Sequence, residues 1–473
     1  MPQHLDRLSS VDASFLHAED TSPAAHMHIG GMAIFDGPPP TGAELRAHVA
    51  SRLPLLPRFR QRLVPAPFGT GRPVWADDPS FSLSFHVRHS ALPSPGREEQ
   101  LLTFVSRITS QRLDRSKPLW EMYLVEGLDG GRWALVTKTH HAMVDGVSGV
   151  DLLTALVDLT PEPRTIDPDT WAPAKVPGTV GLLAKGVSDA GRTVVGLGQS
   201  AVGLVTRPDR TIGAFGRTLS GFRDLGGKVL GGAPSSPFNG PVTPHRQLAV
   251  ARTDLTDYKL IKSVLGGSVN DTVIAVVAGA LRRWLDEHGA DPDGLALRAL
   301  VPVSVRADHQ KGALGNQITV LVAPLPVQEP DPVQRLAAAR STMDGLKRGT
   351  QAVAARALTR MEDFLPPTVL AQASRLSFSS RLFNLLVTNV PGPQFPVYVL
   401  GRKLTELVPL AFLAPQHRLA VAIVSYDGSV VLGLLGDRDG VPDLDGLAKG
   451  IEVALAELVD AARAASAGQA AEV

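Results

Sequence analysis

The chain has 473 residues and not one cysteine. That excludes disulfides, thiolate metal sites and a cysteine nucleophile, and it fits a reducing compartment. It also lacks a charge excess: 47 Lys and Arg stand against 46 Asp and Glu, a net charge of +1. Nothing global therefore points to nucleic acid or to a strongly acidic partner. Long apolar runs are missing too. Stretches such as TVIAVVAGAL (272–281) fall far short of the roughly 20 residues that a membrane helix needs. The first residues, MPQHLDRLSSVDASFL, carry no basic-then-apolar export pattern. These absences predict a cytoplasmic protein that meets a membrane from outside.

What is present is ordinary globular material, 44% hydrophobic and 20% charged. The length exceeds one ordinary core, so two domains are expected. Thr41 and Glu44 form a capping-box pattern at a helix start. Residues 97–113 carry apolar side chains at helical spacing, and residues 118–128 and 132–141 read as a β-hairpin around Asp129-Gly130-Gly131. Residues 146–159 read as a helix. A Pro- and Asp-rich stretch follows Leu159, then a Gly-rich segment with eight Lys or Arg against three Asp over 175–231. The second half, from about Gln247, repeats the mixture. It has helices over 255–265 and 270–289, strands over 296–306 and 317–326, and a hairpin over 419–437 turned by Asp427-Gly428. A final helix carries Asp443 as its cap. The expected division is residues 1–165, a linker over 166–246, and residues 247–473, each main part mixing strands and helices in an α/β (α+β) fold.

The stretch THHAMVDGVSG (139–149) carries the chemistry. Alternation along a strand places Ala134, Val136, Lys138 and His140 on one face, and Trp133, Leu135, Thr137, Thr139 and His141 on the other. The two histidines then do different work. One imidazole is packed and hydrogen-bonded, and the other faces a cavity and exchanges protons near neutral pH. Opposed faces count against a metal held by both. Asp145 can orient an imidazole or hold the turn, and Gly146 leaves the backbone open to close approach. A bare pair of histidines at a strand end would more often be structural; Asp-Gly at this spacing turns the balance.

HHAMVDG matches the HHxxxDG motif of the coenzyme A-dependent acyltransferase superfamily. A series of blocks resembles, in order, the bacterial wax ester synthase/diacylglycerol acyltransferase family: LSSVDASFLHAED (8–20), HMHIGGMAIF (26–35), LDRSKPLWEMYLVEGL (113–128), SVNDTVIAVVAGALRRWL (268–285), LVPVSVR (300–306), GNQITVLVAPLP (315–326), TNVPGP (388–393) and SYDGSVVLGLLGDRD (425–439). The resemblance runs from about residue 8 to 460. It implies two chloramphenicol-acetyltransferase-like domains, each a mixed sheet with helices, and a channel between them with the motif at its midpoint. It implies transfer of a fatty acyl group from acyl-coenzyme A, as co-substrate, to diacylglycerol or a long-chain alcohol, with no further cofactor. His141 would be the general base and Asp145 structural.

Other residues take roles beside these. Asn270 and Asp271 open a helix that Ser268 caps, by itself an ordinary helix start, although N–H groups and the helix dipole there favour developing negative charge. The resemblance to the family's Asn-Asp block is what implies that Asn270 orients substrate or stabilises the oxyanion and that Asp271 contacts substrate. Gly30 and Gly31 are candidates to line the acyl channel. Pro118 and Trp120 read as strand entry and core, Pro391-Gly392 as a type II turn, and Arg306 as an ion-pair partner for Asp145. In the resulting reaction His141 deprotonates the acceptor hydroxyl, the alkoxide attacks the thioester, and no covalent intermediate or metal is needed. Two other readings share the fold: a condensation-type acyltransferase using a carrier-bound acyl donor, and a non-catalytic protein that coats lipid inclusions. Lipid substrates with no spanning segment imply peripheral contact with membranes or lipid droplets; the basic segment, with Trp171, Phe215 and Phe222 nearby, is either the candidate surface or a pair of helices packed across the back of both domains.

Overall fold

Helix α1 (Ser10–Thr21) opens the described chain, and Ser9 caps it by accepting the Asp12 N–H. The structure is a computed structural model that describes residues 6–67, 72–143, 152–167, 169–174, 178, 232–304, 318–348 and 378–471. After α1 come β1 (His28–Phe35), α2 (Gly42–Arg52), β2 (Gln61–Val64), β3 (Val74–Asp77), α3 (Leu83–His86), β4 (Val87–Ala91), α4 (Glu98–Thr109), β5 (Trp120–Leu128), β6 (Arg132–His140) and α5 (Leu152–Leu156). The capping box of Thr41 and Glu44 is formed at α2. The hairpin β5–β6 is antiparallel, and Gly130 and Gly131 turn it at φ 70° and 71°.

The later part holds β7 (Arg246–Asp254), α6 (Leu255–Leu265), α7 (Val269–Glu287), β8 (Arg298–Ser304), β9 (Ile318–Pro324), α8 (Pro332–Arg348), β10 (Leu385–Pro391), β11 (Tyr398–Val399), β12 (Arg402–Leu410), β13 (Leu419–Tyr426), β14 (Ser429–Asp437) and α9 (Leu444–Ala471). Asp427 and Gly428, both at positive φ, close the β13–β14 hairpin as a type I′ turn requires. Asp443 caps α9 by accepting the Gly446 N–H.

Two six-stranded mixed sheets result. The first runs β11-β12-β1-β6-β5-β4 and the second β7-β14-β13-β10-β8-β9. Strands β11 and β12 belong to residues 398–410 in sequence and to the first sheet in space, where β12 lies antiparallel to β1. Alternation along the strands sorts side chains into three cores. Met32, Ile34, Ala134 and Val136 of the first sheet meet Leu248, Leu386, Ala420 and Val431 of the second in an inner core between the sheets. Ala33, Phe35, Trp133 and Leu135 face the outer core under α2. Ala249, Val421 and Leu432 face the core under α6, α7, α8 and α9. The sheets approach closely where β14 passes β12: a Cβ on Gly433 would lie 2.0 Å from the Pro409 carbonyl oxygen.

One turn differs from expectation. Pro391 ends β10, and the Gly392 N–H continues the parallel ladder to the Ser425 carbonyl at 3.0 Å. Gly392 is not at positive φ, so this is no type II turn. The glycine serves close approach instead, since a Cβ there would sit 2.4 Å from the Ser425 oxygen. Among the described residues no single helix is long and apolar enough to cross a membrane. Helices α6 and α7 pass only as a pair bent by 103°, and their apolar residues are buried in the core.

Candidate active site

The site begins where β6 stops. Strand geometry ends at His140, and His141–Met143 form one turn of 3-10 helix. The His141 N–H bonds the Met27 carbonyl at 2.8 Å. This turn overrides the alternation expected from sequence. His141 does not join Trp133 and Leu135 in the outer core. Its ring lies against Phe15 and Phe412, both members of the inner core. The reason is local: once the extended backbone gives way to a helical turn, the two-residue period no longer applies.

His140 is fully buried. Its Nδ1 accepts the Ala142 N–H at 3.0 Å. A ring nitrogen that accepts carries no proton, so the proton of His140 sits on Nε2. That atom faces Glu19 Oε2 at 3.6 Å. Burial pulls the His140 pKa below its ordinary value, against the opposing effect of Glu19. The packed, hydrogen-bonded histidine expected from sequence is therefore His140.

His141 is part exposed as a residue, while its Nδ1 is buried without a partner. The Phe15 ring stacks on it with centroids 4.0 Å apart and planes at 24°. Phe412 meets it edge-on at 5.4 Å. Phe378 completes the cage, 5.6 Å from Phe15 and 6.3 Å from Phe412. Removal from water, and then the neighbouring His140, lower its pKa to about 4. The imidazole is thus neutral at pH 7, with a lone pair free to take a proton. Phe412 follows β12 directly, so the strand that crosses into the first sheet also delivers part of the site.

Glu19 was missed by reading the sequence, although it lies in a block that was singled out. It is 1% exposed and faces His26 Nδ1 at 3.8 Å, His28 Nε2 at 3.7 Å and His140 Nε2 at 3.6 Å. Arg112 reaches it at 3.2 Å and Arg115 also pairs with it. Burial would raise its pKa. The close ring nitrogens of His140 and His26 and the charge of Arg115 outweigh that and hold the carboxyl well below its usual range. His28 is buried with both ring nitrogens unpartnered, and burial, then Lys138, keep it neutral. Among the described residues no group of three or more His, Cys, Asp or Glu is placed to hold a metal ion; both guanidinium groups bond the Oε2 of this carboxylate, and its Oε1 is buried without a hydrogen-bond partner. No short-range sequence signal marks Glu19, because its partners lie 7 to 121 residues away along the chain.

The remaining candidates are placed as follows. Asn270 stands in the first turn of α7, and its Oδ1 accepts from Asn389 Nδ2 of β10 at 3.4 Å. Among the described residues no hydrogen bond or ring contact joins it to His141. Asp271 closes the capping box with Ser268: its Oδ2 accepts the Ser268 N–H at 2.8 Å and the hydroxyl at 2.7 Å, and its Oδ1 is buried without a partner. Gly30 lies on β1 where a Cβ would meet the Thr137 oxygen at 1.9 Å, whereas Gly31 has ordinary room. Pro118 and Trp120 are buried, and Trp120 Nε1 donates to the Phe59 carbonyl at 2.8 Å while its ring stacks on His86. Asp145, Gly146, Arg306 and the basic segment over 179–231 lie outside the described residues.

Comparison with known proteins adds a second line of evidence. A sequence model described as the wax ester synthase/diacylglycerol acyltransferase catalytic domain matches residues 8–273, and one described as the C-terminal domain of the same family matches residues 314–459. A Mycobacterium tuberculosis protein named probable diacylglycerol O-acyltransferase tgs1 is 34% identical over 457 residues, covering 96% of each chain. Another from the same organism, tgs2, is 34% identical over 480 residues, 97% of this chain and 99% of its own. The solved wax ester synthase/diacylglycerol acyltransferase of Marinobacter aquaeolei VT8 superposes with a TM-score of 0.66 at 29% identity, over 97% of this chain and 100% of its own. The first condensation domain of the CDA synthetase gives a TM-score of 0.60 at 16% identity, covering 97% of each chain, a likeness of fold alone.

Proposed function

Since the chain belongs to the wax ester synthase/diacylglycerol acyltransferase family, we propose that it moves a long-chain fatty acyl group from acyl-coenzyme A to the hydroxyl of diacylglycerol or of a long-chain alcohol. One observation carries this reading: a neutral, part-exposed imidazole, His141, set in a cage of Phe15, Phe378 and Phe412. Apolar walls suit an acyl chain and an apolar acceptor, and exclude the water that would otherwise take the acyl group.

In the proposed reaction His141 takes the acceptor's proton as the alkoxide forms the new C–O bond to the thioester carbonyl. The tetrahedral oxyanion collapses, the C–S bond breaks, and the thiolate of coenzyme A leaves with the proton that His141 returns. General base catalysis of this kind contributes on the order of 10²–10⁴ in rate. Asn270, at the N-terminal turn of α7 and held by Asn389, is the candidate donor to the oxyanion; loss of such a donor costs on the order of 10²–10³. Asp145 and Gly146 complete the motif, Asp145 with a structural role and Arg306 as its proposed partner.

The test is an acceptor panel against palmitoyl-coenzyme A, reading release of the free thiol and the ester formed. Faster release with dioleoylglycerol or hexadecanol than without either supports the reading and ranks the two acceptors. Release that ignores both, alongside transfer from an acylated carrier domain, would move the protein to the condensation-type class.

A further inference from the structure

We propose that helix α1 is the positioning element of the histidine pair, with Glu19 acting through His140 and Phe15 acting on the ring of His141. The proposal rests on the acyltransferase reading above and assigns to that site two residues that do no bond-making themselves.

The geometry is that of one helix face. Phe15 and Glu19 are four residues apart, so both side chains leave α1 on the same side. That side packs on the turn His141–Met143. Phe15 lies nearly parallel to the His141 imidazole at 4.0 Å and fixes the plane of the ring. Glu19 faces the protonated nitrogen of His140. The tautomer follows: a carboxylate opposite Nε2 favours the proton there, which leaves Nδ1 free to accept the Ala142 N–H. The other tautomer would set N–H against N–H at Ala142 and release the turn that carries His141. The carboxylate thus fixes a proton on one histidine and, through it, the backbone of the next.

Glu19 also bears on charge. When His141 takes a proton it becomes a cation in a phenylalanine cage. Around it, Phe15 of α1, Phe378 and Phe412 are neutral, and His140 of β6 is neutral in the tautomer described. Behind His140 stands the Glu19 carboxylate, flanked by His28 of β1, by His26 just ahead of that strand, and by Arg112 and Arg115 beyond α4; both arginines pair in turn with exposed Asp20. The carboxylate is the buried anion nearest the pair among these groups, and its charge offsets that of the imidazolium.

Three variants test this by their pH profiles. Glu19→Gln should lower kcat by about tenfold or more, with the KM for palmitoyl-coenzyme A within about twofold, because misplacement of a catalytic group strikes the chemical step. The acid limb of its kcat profile should move to lower pH, since the imidazolium loses its anion. Phe15→Leu should also lower kcat, but with the acid limb moved up toward the ordinary histidine value, since the ring loses its cover. Arg115→Gln removes a partner of Glu19 away from the histidines. It should lower the melting temperature and leave the acid limb in place. Wild-type kcat and profile in Glu19→Gln, or an Arg115→Gln profile that follows it, would overturn the proposal. Should Glu19→Gln not fold, wild-type kcat and acid limb in Phe15→Leu would overturn it alone. A wild-type enzyme without acceptor-dependent thiol release would instead overturn the acyltransferase reading, and is checked first.

Discussion

At the scale of single residues the adjacent histidines divide into a buried, hydrogen-bonded ring and a part-exposed ring that we propose as the base. His140→Ala removes the acceptor for the Ala142 N–H and deprives Glu19 of a partner, so it should cost about 1–3 kcal/mol of stability. A shift in the urea midpoint measures that loss. The pH dependence has a defined sign. His141 and His417 have pKa values lowered to about 4 in the folded protein, against an ordinary 6.5. Between those values the unfolded chain binds more protons than the folded one, so stability falls as pH drops through that window. Glu19, lowered too, contributes stability that is present above its ordinary value and lost with acid, in the same direction. The melting temperature should therefore fall steeply from pH 6.5 to 4; a flat profile would contradict the burial described. The sequence predicted one packed and one working histidine, and the resemblance gave the working role to His141; the packed, hydrogen-bonded ring is His140. It could not show Glu19 or Phe412, whose roles exist only after α1, β6 and β12 have met.

At the scale of elements, local chemistry was readable and long-range pairing was not. The capping box at Thr41–Glu44, the Ser268 cap and the Asp427-Gly428 hairpin are short-range contacts between neighbours, and each is formed, the Ser268 cap as a full box closed by Asp271. The insertion of β12 beside β1 joins residues 369 to 380 apart, and no pattern within either strand announces it. Alternation failed at His141 because it presumes a strand to its last residue. Gly433 is the sharpest element-scale test. Its missing side chain lets β14 pass the Pro409 carbonyl of β12, so Gly433→Ala must push the sheets apart. We expect a destabilisation of about 1–3 kcal/mol, typical of overpacking. A melting temperature equal to wild type would show that the sheets give way freely there.

At the scale of the whole molecule, two mixed sheets share an inner core, and His141, the proposed base, stands where that core receives Phe378 and Phe412 from the later part of the chain. Fold class and family were legible because ordered blocks span most of the sequence. That the chain meets lipid is an expectation, and the sequence feature behind it is a charge excess over 175–231. Cationic side chains near an anionic surface contribute roughly 1 kcal/mol each, so binding to phosphatidylserine vesicles should be salt-sensitive. It should weaken on charge reversal at Arg207, Arg210 and Arg217, as sedimentation with vesicles would show; unchanged binding would move the lipid-facing surface elsewhere. The central claim is that His141 is the general base of acyl transfer. The direct measurement is thiol release from palmitoyl-coenzyme A, with and without a long-chain acceptor, by wild type and by His141→Ala with its fold verified by melting. The account predicts acceptor-dependent release that falls by on the order of 10²–10⁴ in the variant. Release by His141→Ala at the wild-type rate would contradict it.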